Sequence, residues 1–241
     1  MIGLSIGAVA ACVLIVYVGA AVQASLGIGL GMISSAVLAL VDTDFIPVAI
    51  VLSVIPLSGS VAFADRAHID RRGLGWTLGG RIPGVVLGAI VAASLSDRLL
   101  SLLVAGTVLV SVAASITTSR FEPRDGALVA AGLTSGFMGT ATGVGGPPIA
   151  LVYQHSDPAT MRSTISAFFA LGAVMSMLAL TVAGEVGRRQ LELSLMLLPS
   201  IVIGVVTARL VRHRLRAAVV RPAVLVLCSA SAGALLVETF V

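Results

Sequence analysis

The sequence predicts an all-α, polytopic integral membrane protein built from two homologous, inverted repeats, and three observations carry that prediction. Hydrophobic residues make up 58% of the chain and charged residues only 11%, against about 25% charged in a soluble domain. Apolar runs of roughly 17–25 residues, each long enough to span a bilayer, recur along the whole length and leave no room for a separate soluble domain. Each half is also interrupted by one glycine-rich stretch that a continuous helix does not easily cross.

Taken in order, apolar segments lie near 3–23, 30–41, 45–64, 74–95 and 99–118. A polar hinge follows at 119–125, Ser119-Arg120-Phe121-Glu122-Pro123-Arg124-Asp125. Further segments lie near 126–141, 147–154, 162–183, 190–210 and 219–239. Each half therefore runs long, short, long, long, long, and a simple count gives about eight hydrophobic spans. The N-terminus, Met1-Ile2-Gly3-Leu4, lacks the basic region of a cleaved signal peptide, so the first span is expected to be retained.

The shared rhythm predicts a duplication, with 1–118 as the first repeat and 126–241 as the second, together one transport domain. An ungapped shift of about 116 residues carries Gly27 onto Gly143, Gly29 onto Gly145 and Ile33 onto Ile149. It also carries Arg72 onto Arg188, Pro83 onto Pro199, Gly88 onto Gly204 and Arg98 onto Arg214. Apolar coincidences are cheap in this composition, but glycine, proline and arginine matches are not. Internal duplication is common among secondary transporters.

The arginines choose between two topologies. Net charge is +4 and the chain contains no lysine. If each long and short segment together made one broken span, the arginines would divide evenly between the two sides. If each pair is instead a hairpin returning to its own side, one side collects Arg66, Arg71, Arg72, Arg120, Arg124, Arg162 and the cluster from Arg209 to Arg221. Only Arg98, Arg188 and Arg189 remain opposite, an asymmetry that follows the positive-inside bias. The second arrangement is preferred, and it makes the halves inverted. Arginines set singly between apolar spans, with no aromatic-basic platform, exclude a nucleic-acid partner. The partner they fit is the lipid bilayer.

The chemistry concentrates at the breaks. The second half holds Gly143-Val144-Gly145-Gly146-Pro147-Pro148 and the first Gly27-Ile28-Gly29-Leu30-Gly31. Broken backbone at membrane depth is tolerated only against protein or a water-filled cavity. Pro147 suits the first turn of a new helix, whose positive dipole end then points into the break. Two such ends, with Gln23, Ser25, Thr140 and Thr142 beside them, make a site for a small anion substrate near the midplane. The candidate binding residues are therefore Gln23, Ser25, Gly27, Gly29, Gly31, Thr140, Thr142, Gly143, Gly145, Gly146 and Pro147. The bland alternative is close helix packing by small residues, which suits Gly132, Gly136 and Gly139 as well as a site does.

Arg81 joins the candidates. It sits about 12 Å along the segment that starts near Leu74, where an arginine either finds an anion or snorkels to the interface. Leu197 occupies the matching place in the second half. His155, Ser163, Thr164 and Ser166 are weaker candidates at a segment tip and a helix start. Cys12 and Cys228 both fall inside apolar spans, so no disulfide, metal or cofactor is expected. No acidic residue sits mid-span, so the coupling proton or ion stays open, as does a homo-oligomeric state. Phosphate-binding, metalloprotease and serine-nucleophile motifs are absent, which excludes the common enzyme classes.

Three stretches resemble the sulfite exporter TauE/SafE family: Gly143-Val144-Gly145-Gly146-Pro147-Pro148, its twin Gly27-Ile28-Gly29-Leu30-Gly31, and Gly80-Arg81-Ile82-Pro83-Gly84-Val85-Val86-Leu87-Gly88. The first-half motif departs from the family's fuller glycine cluster at Leu30. The resemblance covers nearly the full chain. It implies a secondary transporter that exports a sulfur-containing anion, such as sulfite or an organosulfonate, across the bacterial inner membrane. From the residues alone, two alternatives remain: a passive small-anion channel, and an accessory subunit of a membrane complex without flux of its own.

Overall fold

The computed structural model describes residues 4–116, 124–211 and 217–240. The expected hinge around Arg120 and the arginines at 212, 214 and 216 lie outside the described residues, as does the side chain of Arg221. Ten α-helices make up the described chain: α1 (Ile6–Leu26), α2 (Leu30–Val41), α3 (Val48–Ala64), α4 (Arg71–Ser94), α5 (Asp97–Ile116), α6 (Asp125–Thr142), α7 (Gly146–Tyr153), α8 (Pro158–Val182), α9 (Arg188–Val211) and α10 (Ala217–Phe240). Among the described residues seven helices are long and apolar enough to cross a membrane, and α2 is a shorter apolar one. The chain is a multi-pass helical membrane protein.

Local chemistry sets the helix ends. Ser5 accepts from the Ala8 N–H at 3.2 Å and Asp70 from the Gly73 N–H at 3.0 Å, starting α1 and α4. Asp157 accepts from the Ala159 and Thr160 N–H groups, with Pro158 at the first position of α8. At the breaks, Gly27 (φ 89°) and Gly143 (φ 76°) adopt the left-handed conformation that only glycine takes without strain. Their N–H groups close the last turns of α1 and α6 onto the Gln23 and Gly139 carbonyls.

After each break the short helix folds back along the long one. The Leu30 N–H donates to Gln23 Oε1 at 2.9 Å and Ser34 donates to the Ile15 carbonyl at 3.4 Å, so α2 runs antiparallel to α1. In the second half, Ser135 donates to the Gly145 carbonyl. Tyr153, at the far end of α7, donates to Asp70 at 3.1 Å, while Arg72 pairs with Asp125 at the start of α6. Both ends of the α6–α7 pair thus meet the start of α4. Each pair is a hairpin that returns to the side it entered from.

The same contacts sort the charges into two ends. Asp65, Arg66, Arg71, Arg72, Arg124, Asp125 and Arg162 share one end, where Arg162 pairs with Asp65 at 2.6 Å. Arg189 pairs with Asp42 and Asp44 at the other end, and Arg98 there lies over the Phe240 ring at 5.9 Å.

Helix packing crosses between the halves. α1 packs on α9 and α6 on α4, while α3 packs on α8 and α5 on α10. The α4–α6 seam is the tightest. A Cβ on Gly80 would lie 2.8 Å from the Val129 carbonyl carbon, and one on Gly132 would lie 2.9 Å from that of Thr77. Backbone therefore rests directly on backbone, the close approach that small residues allow in membranes. This seam places Arg81 next to the second glycine break.

Candidate functional site

The tips of the two hairpins touch. Gly31, in the first turn of α2, packs against the carbonyl of Gly143, and Gly143 packs in turn against Ile50 on α3. A cavity of about 40 Å³ opens where they meet, enough for about three waters at some 10–15 Å³ each. Gln23, Gly29, Gly31, Arg81, Gly143, Gly145 and Gly146 line it, which brings seven of the twelve sequence-derived site residues to one point.

The other five take supporting positions. Ser25 donates to its own helix at the Ala21 carbonyl, 2.8 Å away. Gly27 packs on the backbone of Arg162. Thr142 donates to the Met138 carbonyl at 2.7 Å, and Thr140 bonds Ser176 at 2.7 Å. Pro147 lies in the first turn of α7 and, like Pro148, offers no N–H to the break. Of the α7 end, Gly145 and Gly146 are the residues whose backbone reaches the cavity. Gln23 is held at both ends of its amide, donating to Ser58 at 3.0 Å and accepting from Leu30.

Among the described residues that line the cavity, Arg81 is the charged one. It is 3% exposed, so its side chain turns inward from α4 rather than toward the interface. Nη2 donates to Ser176 at 3.3 Å, whereas Nε and Nη1 find no hydrogen-bond partner among the described residues. The Phe168 ring lies 4.7 Å below the guanidinium, a cation–π contact. Among the described residues every ion pair lies at the ends of the bundle, and none reaches Arg81. A guanidinium has no acceptor, so the Ser176 oxygen accepts from Arg81, while either hydroxyl can donate in the bond between Ser176 and Thr140.

Sequence reasoning missed the helix that holds Arg81. Phe168, Gly172 and Ser176 form one stripe of α8, four residues apart. They supply a ring, a gap and a hydroxyl to one guanidinium. That small–polar spacing was visible, but it reads equally as helix packing until Arg81 is known to lie across it. Gly139 also lines the cavity, in addition to its packing.

A permanent cation with open donors, facing two helix N-terminal ends in a desolvated cavity, suits an anion. The family model described as Sulfite exporter TauE/SafE matches residues 11–235, a range that includes both glycine breaks and Arg81. Neither a curated protein nor a solved structure matches the chain. The match spans nearly the whole bundle, and on it the chain belongs to the sulfite exporter TauE/SafE family, membrane transporters of sulfur anions such as sulfite.

Proposed function

We propose that the protein is a secondary transporter that exports a small sulfur-containing anion, sulfite or a short organosulfonate, across the bacterial inner membrane. The anion binds in the cavity between the α2 and α7 ends. One observation carries this reading: Arg81 is 3% exposed with two nitrogens unpartnered, at the wall of a cavity that both breaks share. A buried charge without a counter-charge is costly, and the missing counter-charge is the cargo. We further read residues 1–118 and 126–241 as inverted repeats. The crosswise packing of α1 on α9 and α6 on α4 supports that reading, as does the presence of one hairpin in each half. With positive charge inside, the end that holds Arg66, Arg71, Arg72, Arg124 and Arg162 faces the cytoplasm.

Proteoliposomes loaded with labelled sulfite, a sulfonate or acetate, with and without a pH gradient, test the proposal. Saturable sulfite or sulfonate flux that responds to the gradient is the expected result. Flux without saturation or coupling would make the protein a channel. No flux of any of the three from folded protein would refute transport.

A further inference from the structure

The cavity has two chemically different walls. Its polar lining comes from the hairpins and α4: Arg81, Gln23 and the backbone at Gly31, Gly143, Gly145 and Gly146. The helices α3 and α8, which pack on each other, contribute only Val51, Val54, Phe169 and Ala173. None of these four side chains carries an N–H or O–H to donate to an oxygen.

Resting on the proposed function, we infer that the site selects sulfur anions with three oxygens and a fourth position that needs no hydrogen bond, and that Val51 and Val54 set this selectivity. Sulfite offers a lone pair at that fourth position and a short alkyl sulfonate offers a methyl group. Either fits against valine and phenylalanine while its oxygens meet Arg81 and the helix ends. Sulfate carries a fourth oxygen wherever it turns. In this cavity that oxygen faces the α3–α8 wall and loses its hydration with nothing in return. Sites that leave one charged acceptor unsatisfied discriminate by about 10- to 100-fold.

Calorimetric titration of the full chain in detergent tests this, performed anaerobically with sulfite, methanesulfonate and sulfate. At mildly alkaline pH sulfite and sulfate both carry two charges, so charge does not confound that comparison. Sulfite and methanesulfonate should both bind, and sulfate should bind about 10- to 100-fold more weakly than sulfite. V51T and V54T, near-isosteric changes that add a hydroxyl to the apolar wall, should narrow the sulfite–sulfate gap by about tenfold. Sulfate affinity equal to that of sulfite would overturn the two-wall selectivity while leaving the anion site standing. A gap that neither valine variant moves would overturn the role of Val51 and Val54. Failure of all three anions to bind would remove the proposed transport site, and this selectivity with it.

Discussion

Gly172→Ala is the sharpest perturbation of the site, because it moves the guanidinium of Arg81 without deleting it. Gly172 lies on α8 directly against that side chain. A Cβ added there would sit 2.7 Å from Arg81 Cδ and closer still to Nε and Cζ. Ordinary carbon contacts need about 3.5 Å or more, so the guanidinium must retreat by about 1 Å. It can do so, being the far end of a long side chain, and the helix itself gains up to about 1 kcal/mol from replacing glycine. The fold should therefore survive. The hydrogen bond to Ser176, already 3.3 Å, and the 4.7 Å stack on Phe168 should not. A displacement of about 1 Å in a positioning group costs on the order of 100-fold in rate. Sulfite flux in proteoliposomes should fall by about that factor, while the melting temperature in detergent stays near the wild-type value. Gly79→Ala on α4, where an added Cβ meets nothing within 4 Å, is the matched control and should transport normally. Wild-type flux from Gly172→Ala would refute the claim that Arg81 acts from the position the structure gives it.

Three further outcomes are expected. Gly132→Ala puts a Cβ 2.9 Å from the Thr77 carbonyl carbon and 3.1 Å from the Arg81 nitrogen, backbone atoms that cannot yield singly. It should cost about 1–3 kcal/mol, read as a lower melting temperature or lower folded yield. Arg81→Ala should raise the apparent KM for sulfite, with flux kinetics as the check; unchanged kinetics would show that the guanidinium does not hold the anion. Asp65→Asn weakens the pair with Arg162, whose partners are each about a fifth exposed (21%). A charge-assisted bond of this kind, discounted for that exposure, is worth about 1–2 kcal/mol. The melting temperature should drop by about 3–6 °C, and the reversed pair D65R/R162D should recover part of the loss.

The breaks were legible in the sequence because glycine and adjacent prolines forbid a continuous helix whatever surrounds them. Gly27 and Gly143 prove to be left-handed caps, and the short helices after them begin within a residue of where they were expected. The arginines favoured the hairpin arrangement in the sequence because it gathers most of them in the loops of one side. Hydroxyl roles were not. Ser25 and Thr142 satisfy themselves on carbonyls one turn back, as serine and threonine do in an apolar medium. Spacing along the chain does not distinguish such a bond from one aimed at a ligand. The partners of Arg81 were illegible for a different reason: Ser176 is 95 positions away, and only tertiary packing brings it near.

On the proposed repeat, Arg81 has no charged counterpart in the other half. In the proposed repeat, the counterpart of Arg81 is Leu197, which is fully buried, and the counterpart of Gly139 is Gln23. Gly139 leaves room beside Arg81 Nη2, at 3.5 Å from where its Cβ would be. Gln23, by contrast, carries an amide that is engaged by Ser58 and Leu30. A second arginine at position 197 would bury a second cation among apolar side chains, at a further desolvation cost. On the proposed function, one full charge with two helix ends of about half a charge each would bind an oxyanion and still let it leave. The asymmetry between the proposed repeats would then match what release of a cargo requires.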